Sequence, residues 1–528
     1  MDSANVGYSY HLPSGGWNYK IRNTLSQFSD LFSEFNKYIA PAYHHDRCER
    51  SVQMRIYSMH KGEFVMVFIA FFACFGLGVF IGLAGPSPTI TTSIEASKII
   101  NNASPIYQGP FHLHSPALDT GAQQLWLLAE ILTDDDDEEI FDKSFQISIS
   151  IDGLLGNHAT VNLVPESEAT NRTQHLKCKR RVCSEVMILH LGALEYTHYV
   201  FNIHFYGLQE FHKRYFIRDI VFFFKTYNPG FTQMETWFRF IFLLTTFIVA
   251  CCFTHSLRKY STHDWAIEQK WISTLLPCLL IYNDPLFPLR LVSSSCFAPL
   301  MDTVFQTAFL ACLMMSWLVQ YHSLRQNERS FISFYLMKVI IVGLVWLPAM
   351  IITIWQKYDA FYDPTFNYQL NPNYPVVKIM FFSAITLYFL YLLVLIIKAY
   401  SDLRNMPFFD IRLRCLSIMV ATVTFITTVL ALQGWGPAGL QDHWASQPRQ
   451  HYSTSAPFMA MYGLFNFSLY IQAYLFAPAG GSIHETAITK DNPAFSMIND
   501  SDEEVIYGSD EESRRPLNSH HRVADEEI

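Results

Sequence analysis

This chain has little charge. Lys, Arg, Asp and Glu make up 16% of its 528 residues, while 50% are hydrophobic and 16% aromatic. That balance is too apolar for an ordinary soluble enzyme. No basic patch is present, and the acidic excess behind the net charge of −9 sits at Asp134–Glu139 and in the C-terminal tail. A nucleic-acid partner is therefore not expected. The acidic run lacks a Gly or a spaced ligand pattern, so it reads as a solvated loop rather than a calcium site. The first 63 residues contain no apolar run, which argues against a cleavable signal peptide. Catalytic constellations are missing too. No His-x-x-x-His falls in an apolar run, His255, His263, His443 and His451 fall in loops, and Cys74, Cys251, Cys252, Cys278 and Cys312 have no histidine at comparable depth. Zinc needs three or four converging ligands. We therefore expect no enzyme, no metal and no cofactor.

What the chain does have is long apolar runs, which define a polytopic α-helical membrane protein. Phe64–Leu83 is twenty uncharged residues, enough at ~1.5 Å per residue to cross a hydrocarbon core ~30 Å thick. Arg47, Arg50, Arg55 and Lys61 precede it and only Lys98 follows within a comparable distance. Positive residues stay on the cytosolic side, so residues 64–86 read as an uncleaved anchor with residue 87 onward outside. Seven more spans are expected at about 235–254, 271–288, 300–321, 334–355, 376–397, 414–433 and 457–477. The loops then predicted cytosolic carry Arg258, Lys259, Lys270, Arg325, Arg329, Lys398, Arg404, Arg412 and Arg414. Those predicted external carry Arg290, Lys357, Lys378 and Arg449. Eight transmembrane helices return the C-terminus to the cytosolic side of the N-terminus.

Between the anchor and residue 230 the pattern changes to strands. Phe145–Ile151 alternates with period two and ends in Asp152-Gly153, a turn dipeptide, and Thr160–Val164, Val186–Leu191, Tyr199–Phe205 and Ile217–Phe224 are further extended runs. No long amphipathic helix interrupts them, so residues 87–230 read as an antiparallel all-β sandwich. Asn102 and Asn171 head glycosylation sequons, and Cys178 and Cys183 are spaced for a local disulfide; both fit a luminal or extracellular domain. Residues 1–63 carry one amphipathic helical pattern, Leu25, Phe28, Leu31, Phe32, Phe35 and Ile39, opened by Thr24 and Gln27. Residues 479–528 are polar and acidic and read as a disordered cytosolic tail.

Polar residues within spans are costly and point to function. Glu235, Arg239, Asn283, Asp284, Asp302, Gln306, Lys378 and Gln433 all fall toward the outer ends of residues 231–478 and are candidates for a ligand vestibule. The alternative is structural pairing, as Glu235 and Arg239 allow at i,i+4. Asn466 and Gln472 lie deeper, as interhelical polar residues. Asn466-Phe-Ser-Leu-Tyr470 faintly resembles the Asn-Pro-x-x-Tyr element of G-protein-coupled receptors without its Pro, and no Asp-Arg-Tyr follows any span. In the tail, Asn492-Pro493-Ala-Phe495 and the acid-flanked Tyr507 resemble adaptor-binding sorting motifs.

The stretches METWFRFIFLLTTFIV, HSLRKYSTHDWAIEQK and EQKWISTLLPCLLIYNDPLFPL, with KDNPAFSMINDSDEEVIYGSD in the tail, resemble the transmembrane protein 181 family. That family belongs to the Wntless-like group of GOLD-domain seven-helix proteins. The resemblance implies an anchor, a GOLD-type sandwich and a receptor-like seven-helix bundle, which in Wntless accommodates the acyl chain of a lipidated secreted protein. It brings no catalytic residues. The expected function is a non-enzymatic receptor or trafficking escort of the secretory pathway and plasma membrane, resident in Golgi, endosome or plasma membrane. Its partners would be membrane lipids, a luminal or extracellular protein and cytosolic sorting adaptors; a signalling receptor for an extracellular ligand is the alternative.

Overall fold

A computed structural model describes residues 52–479 except 101–104, 135–140, 155–159, 165–171, 180, 294, 325–330, 366–372, 404–406 and 443–452. The amphipathic segment near Thr24, the two sequon asparagines Asn102 and Asn171, most of the acidic run, and the tail residues Asn492, Pro493, Phe495 and Tyr507 lie outside the described residues.

Helix α1 spans Lys61–Ala84. His60 caps it by accepting from the Gly62 amide at 3.2 Å while Glu63 accepts from the His60 amide at 3.3 Å. The chain then enters the β-domain: β1 Thr89–Glu95, β2 Phe111–His114, β3 Leu125–Thr133, β4 Phe141–Leu154, β5 Thr160–Val164, β6 Arg172–Lys179, β7 Val182–Cys183, β8 Val186–Leu191, β9 His198–Tyr206 and β10 Ile217–Tyr227, with the short helix α2 Gln209–Tyr215 before β10. All pairings are antiparallel, in the order β1-β10-β3-β7-β6-β4-β9-β2, with β5 on β4 and β8 on β3. The two ends of this path fold face to face. Phe111 of β2 meets Phe222 of β10 at 5.1 Å between ring centres, and Phe201 of β9 meets Phe224 at 5.9 Å. The result is a sandwich whose corner is the short β6-β7 ribbon. There Cys178 and Cys183 face each other in register and form the disulfide.

Asp152-Gly153 does not turn. β4 runs through it to Leu154, paired with Tyr199 and His198 of β9. The glycine serves packing instead, because a Cβ at Gly153 would lie 2.5 Å from the Tyr196 ring.

The bundle follows: α3 Pro229–Leu257, α4 Ile267–Tyr282, α5 Phe287–Val292, α6 Phe297–Ser323, α7 Phe331–Tyr362, α8 Tyr374–Leu403, α9 Pro407–Asp442 and α10 Ala456–Leu475. With α4 and α5 taken together, seven segments among the described residues are long and apolar enough to cross a membrane. The eighth expected span, α10, has twenty residues but is more polar than these, carrying Asn466, Ser468 and Gln472. It packs against α1, α3, α4 and α9, so most of its residues meet protein rather than lipid. Its contact with α1 is close: a Cβ on Gly82 would lie 2.6 Å from the Ala456 Cα.

Both ends of the described chain lie on one side. Arg55 N–H donates to Ala477 O at 2.8 Å, Ala479 N–H to Gln53 O at 2.9 Å, and Val52 N–H to Asp264 O of the α3–α4 loop at 2.8 Å. Ala84 and Pro229, at the far ends of α1 and α3, lead into and out of the sandwich. Eight crossings satisfy that arrangement.

A buried arginine centre as candidate functional site

The third span is not one helix. α4 stops at Tyr282, Asn283 and Asp284 form a break in which Asp284 has φ +55°, and α5 resumes at Phe287. Irregular backbone at membrane depth is tolerated only where protein or water satisfies it. Here the break faces the bundle interior, and two polar networks converge on it.

The first surrounds Arg239 of α3, which is 2% exposed and lies ten residues beyond Pro229, ~15 Å along the helix. Its Nε and Nη2 donate to Glu235 Oε1 at 3.1 and 2.9 Å, and its Nη1 to Asp284 Oδ2 at 3.4 Å. Asp302 of α6 lies 3.8 Å from the same Nη1 and accepts from Gln306 Nε2 at 2.6 Å. The guanidinium is roofed by rings, with its carbon 4.6 Å from the centre of Phe287, 5.0 Å from Tyr462 and 5.9 Å from Phe458. A desolvated guanidinium over aromatic faces gains about 2 kcal/mol from their quadrupoles. One cation thus meets three carboxyl groups drawn from α3, the α4–α5 break and α6.

The second network starts one residue away. Asn283 and Asn466 exchange amide bonds, Nδ2 to Oδ1, at 2.9 and 3.0 Å. Asn283 Nδ2 also reaches Thr246 Oγ1 at 3.0 Å, Thr246 lies 3.0 Å from Asn466 Oδ1, and the Tyr470 hydroxyl lies 2.6 Å from Thr246 Oγ1. Asn466 Nδ2 also donates to Tyr462 O at 2.9 Å. The amides therefore close the gap left by the broken helix and tie α3, α4 and α10 together.

Of the residues singled out from sequence, Glu235, Arg239, Asp284, Asp302 and Gln306 come together, with Asn283 and Asn466 adjoining. Lys378 lies near the start of α8, half-buried, and Gln472 is buried six residues beyond Asn466 on α10. Gln433 falls within α9, and its side chain lies outside the described residues. Sequence reading missed Thr246 and Tyr462, while Tyr470, named there only as the end of the Asn466-Phe-Ser-Leu-Tyr470 element, joins the Asn466 network. The signal was spacing: Glu235, Arg239, Phe242 and Thr246 recur at four, three and four residues on one buried face of α3. It also missed the ion pair at the opposite end of the bundle, where Arg412 of α9 donates to Glu268 of α4 and both are buried.

Aromatic contacts connect the sandwich to this centre. Trp126 on β3 points out of the sandwich core, stacks on His190 of β8 at 5.1 Å and meets Tyr227 edge-on at 5.3 Å. Tyr227 stacks on Phe231 at 6.4 Å, Phe231 meets Phe458 at 5.5 Å, and Phe458 meets Tyr462 at 4.7 Å beside Arg239. Beside this path the β2–β3 connection docks on α3. Gln123 Nε2 donates to Thr232 Oγ1 at 2.8 Å, and Thr232 donates to Gly121 O at 2.7 Å. His190 N–H donates to Pro364 O beyond α7 at 2.8 Å, and Arg172 pairs with Asp363. The His190 imidazole is pushed down to about 3 by desolvation and then by the charges of Lys357 and Arg290, so it is neutral at physiological pH. Among the described residues no group of three His, Cys, Asp or Glu is arranged to hold a metal.

A GOLD-type sandwich set between the first and second helices of such a bundle defines a Wntless-like multi-pass membrane protein, and family models agree. Residues 228–480 match the Wntless-like transmembrane domain and residues 109–227 match the TMEM181 GOLD domain. The chain is 41% identical over 461 residues to human transmembrane protein 181, covering 87% of this chain and 94% of that one. It belongs to the transmembrane protein 181 family.

Proposed function

We propose that this secretory-pathway membrane protein is a non-enzymatic receptor or trafficking escort. The sandwich binds a luminal or extracellular protein, and the bundle, through the polar centre at Glu235, Arg239, Asn283, Asp284, Asp302 and Gln306, senses that partner or a lipid held between the helices. The observation behind this reading is the run of ring contacts from Trp126 to Tyr462, which links the sandwich to Arg239. Coupling through packed side chains requires such a physical connection, with two arrangements that a ligand favours unequally. The side of the bundle holding residues 52–59 and 477–479 faces the cytosol in this reading. The tail around Asn492, Pro493, Phe495 and Tyr507 meets sorting adaptors there, and the protein moves between Golgi, endosome and plasma membrane.

The test compares secreted and surface proteomes of cells with and without the protein, restored with the full chain, with Trp126→Ala, or with a chain lacking residues 100–225. Loss of a few specific proteins, recovered by the full chain and not by the deletion, supports an escort. An unchanged proteome overturns it. Ligand-dependent G-protein recruitment by the intact chain would then favour a signalling receptor.

A further inference from the structure

The bundle carries one pair of thiols placed where membrane enzymes modify thiols. Cys251 and Cys252 lie in the last third of α3 and both are exposed. They continue the outward strip of Phe247 (55% exposed) and Ile248 (51%), whereas Phe253 and Leu257 turn inward against α4 and the 54–56 segment. Leu257 ends the helix five residues beyond Cys252, ~8 Å along the axis. Arg258 and Lys259 follow at once, marking the headgroup level.

The remaining cysteines in the spans fail one of these two conditions, exposure or depth. Cys74 is exposed, but it stands thirteen residues from the start of α1 and ten from its end, ~20 and ~15 Å from the two surfaces. Cys415 lies near the same side as Cys251 but is buried. Cys278 and Cys312 are half-buried and face each other at 3.9 Å between α4 and α6. Among the described cysteines within the spans, only Cys251 and Cys252 are both open to lipid and within reach of an interface.

We infer that Cys251 and Cys252 are an S-acylation site, each taking a long-chain fatty acyl group from an acyl-coenzyme A through a membrane acyltransferase. Juxtamembrane thiols are the usual substrates of this modification. The cysteine loses its proton, the thiolate attacks the thioester carbonyl, a new S–C bond forms, and coenzyme A leaves as the thiolate that takes up the proton. No oxidant or reductant is needed. The acyl chains lie along Phe247 and Ile248 in the leaflet on the side of the α3–α4 loop. This assignment rests on that loop being cytosolic, and it does not depend on the receptor or escort reading.

The experiment is hydroxylamine-dependent exchange of thioesters for a mass tag on the full-length chain from cells. Two tags per chain are expected, with none on C251S/C252S and no change on C74S or C415S. Each single serine variant should lose one tag, which keeps the result readable if the double variant accumulates poorly. A wild-type chain without hydroxylamine-dependent tags, or tags that persist in C251S/C252S, overturns the assignment.

Discussion

The sandwich and the bundle are built with opposite polarity. In the sandwich Phe111, Leu125, Phe201, Ile203, Ile220 and Phe222 point inward and are almost wholly hidden. In the bundle Glu235, Arg239, Asn283 and Asn466 are hidden, while Trp237, Phe240, Leu244 and Phe247 of α3 face outward. Water explains the first arrangement, since each hidden apolar side chain contributes about 1.5–3 kcal/mol relative to exposure. Lipid removes that difference, because hydrocarbon outside is as apolar as a side chain inside. Helices in a membrane are held instead by close packing and polar contacts. The same phenylalanine therefore stabilises one half of this protein and is nearly neutral on the outward face of the other, where a buried charge is tolerated only when paired.

Arg239→Met should break this contrast most sharply. It leaves Glu235, Asp284 and Asp302 facing one another without their shared cation, and removing one partner from a buried ion pair costs about 3–5 kcal/mol. Thermal unfolding of the detergent-solubilised chain should drop accordingly. Adding Glu235→Gln and Asp284→Asn to Arg239→Met should restore part of the loss by removing the stranded charge. If Arg239→Met melts like the parent, the centre does not hold the bundle together.

The matching test exchanges like for like. Phe222→Ala in the sandwich core should cost about 3–5 kcal/mol. Phe240→Ala, on the outward face of α3, should stay within about 0.5 kcal/mol. Equal losses at the two sites would show that the outward face is covered by protein.

His190, at the seam between the halves, gives a pH signature. Its folded value lies well below the 6.5 of a free imidazole. Above 6.5 both states are neutral and pH has no effect through this residue. As pH falls from 6.5 toward 3, the unfolded chain takes up a proton that the folded chain refuses, so stability declines. At pH 5 the loss is about 2 kcal/mol by linkage. His190→Gln should flatten that part of a melting-temperature profile, and an unchanged slope would mean that other groups set it.

How much of this could be read in the sequence follows the same division. Thr160–Val164 and Val186–Leu191 are legible as strands to the residue, and β9 and β10 nearly so; in β9 and β10 one-sided burial writes a period of two, whereas the mostly exposed β5 is marked by its β-branched residues. β3 is not legible, because Leu125 faces the sandwich core while Trp126 faces the bundle, so LWLLAEILT is apolar on both sides. The spans are legible from length and apolarity, yet the expected span 271–288 runs straight through Asn283-Asp284, where the helix breaks before α5 resumes at Phe287, because mean apolarity does not encode a break. Glu235 and Arg239 announced themselves as charges in an apolar run. That Asp284 and Asp302 share the same guanidinium depends on how α4 and α6 lean on α3, which no local pattern encodes.

The smallest effect tests whether hydrogen bonds or shape close the broken helix. Asn283→Ala and Asn466→Ala each remove one partner of the reciprocal amide pair, and Thr246 remains to bond whichever amide is left. Polar contacts between membrane helices average about 0.6 kcal/mol and reach about 1.7 in mutant cycles. Each single change should therefore lower stability modestly, and the double mutant should lose less than the sum of the two, by a coupling of about 1 kcal/mol. Strict additivity would mean that each amide acts separately, with packing of Tyr282 against Phe309 and Phe465 holding the break closed.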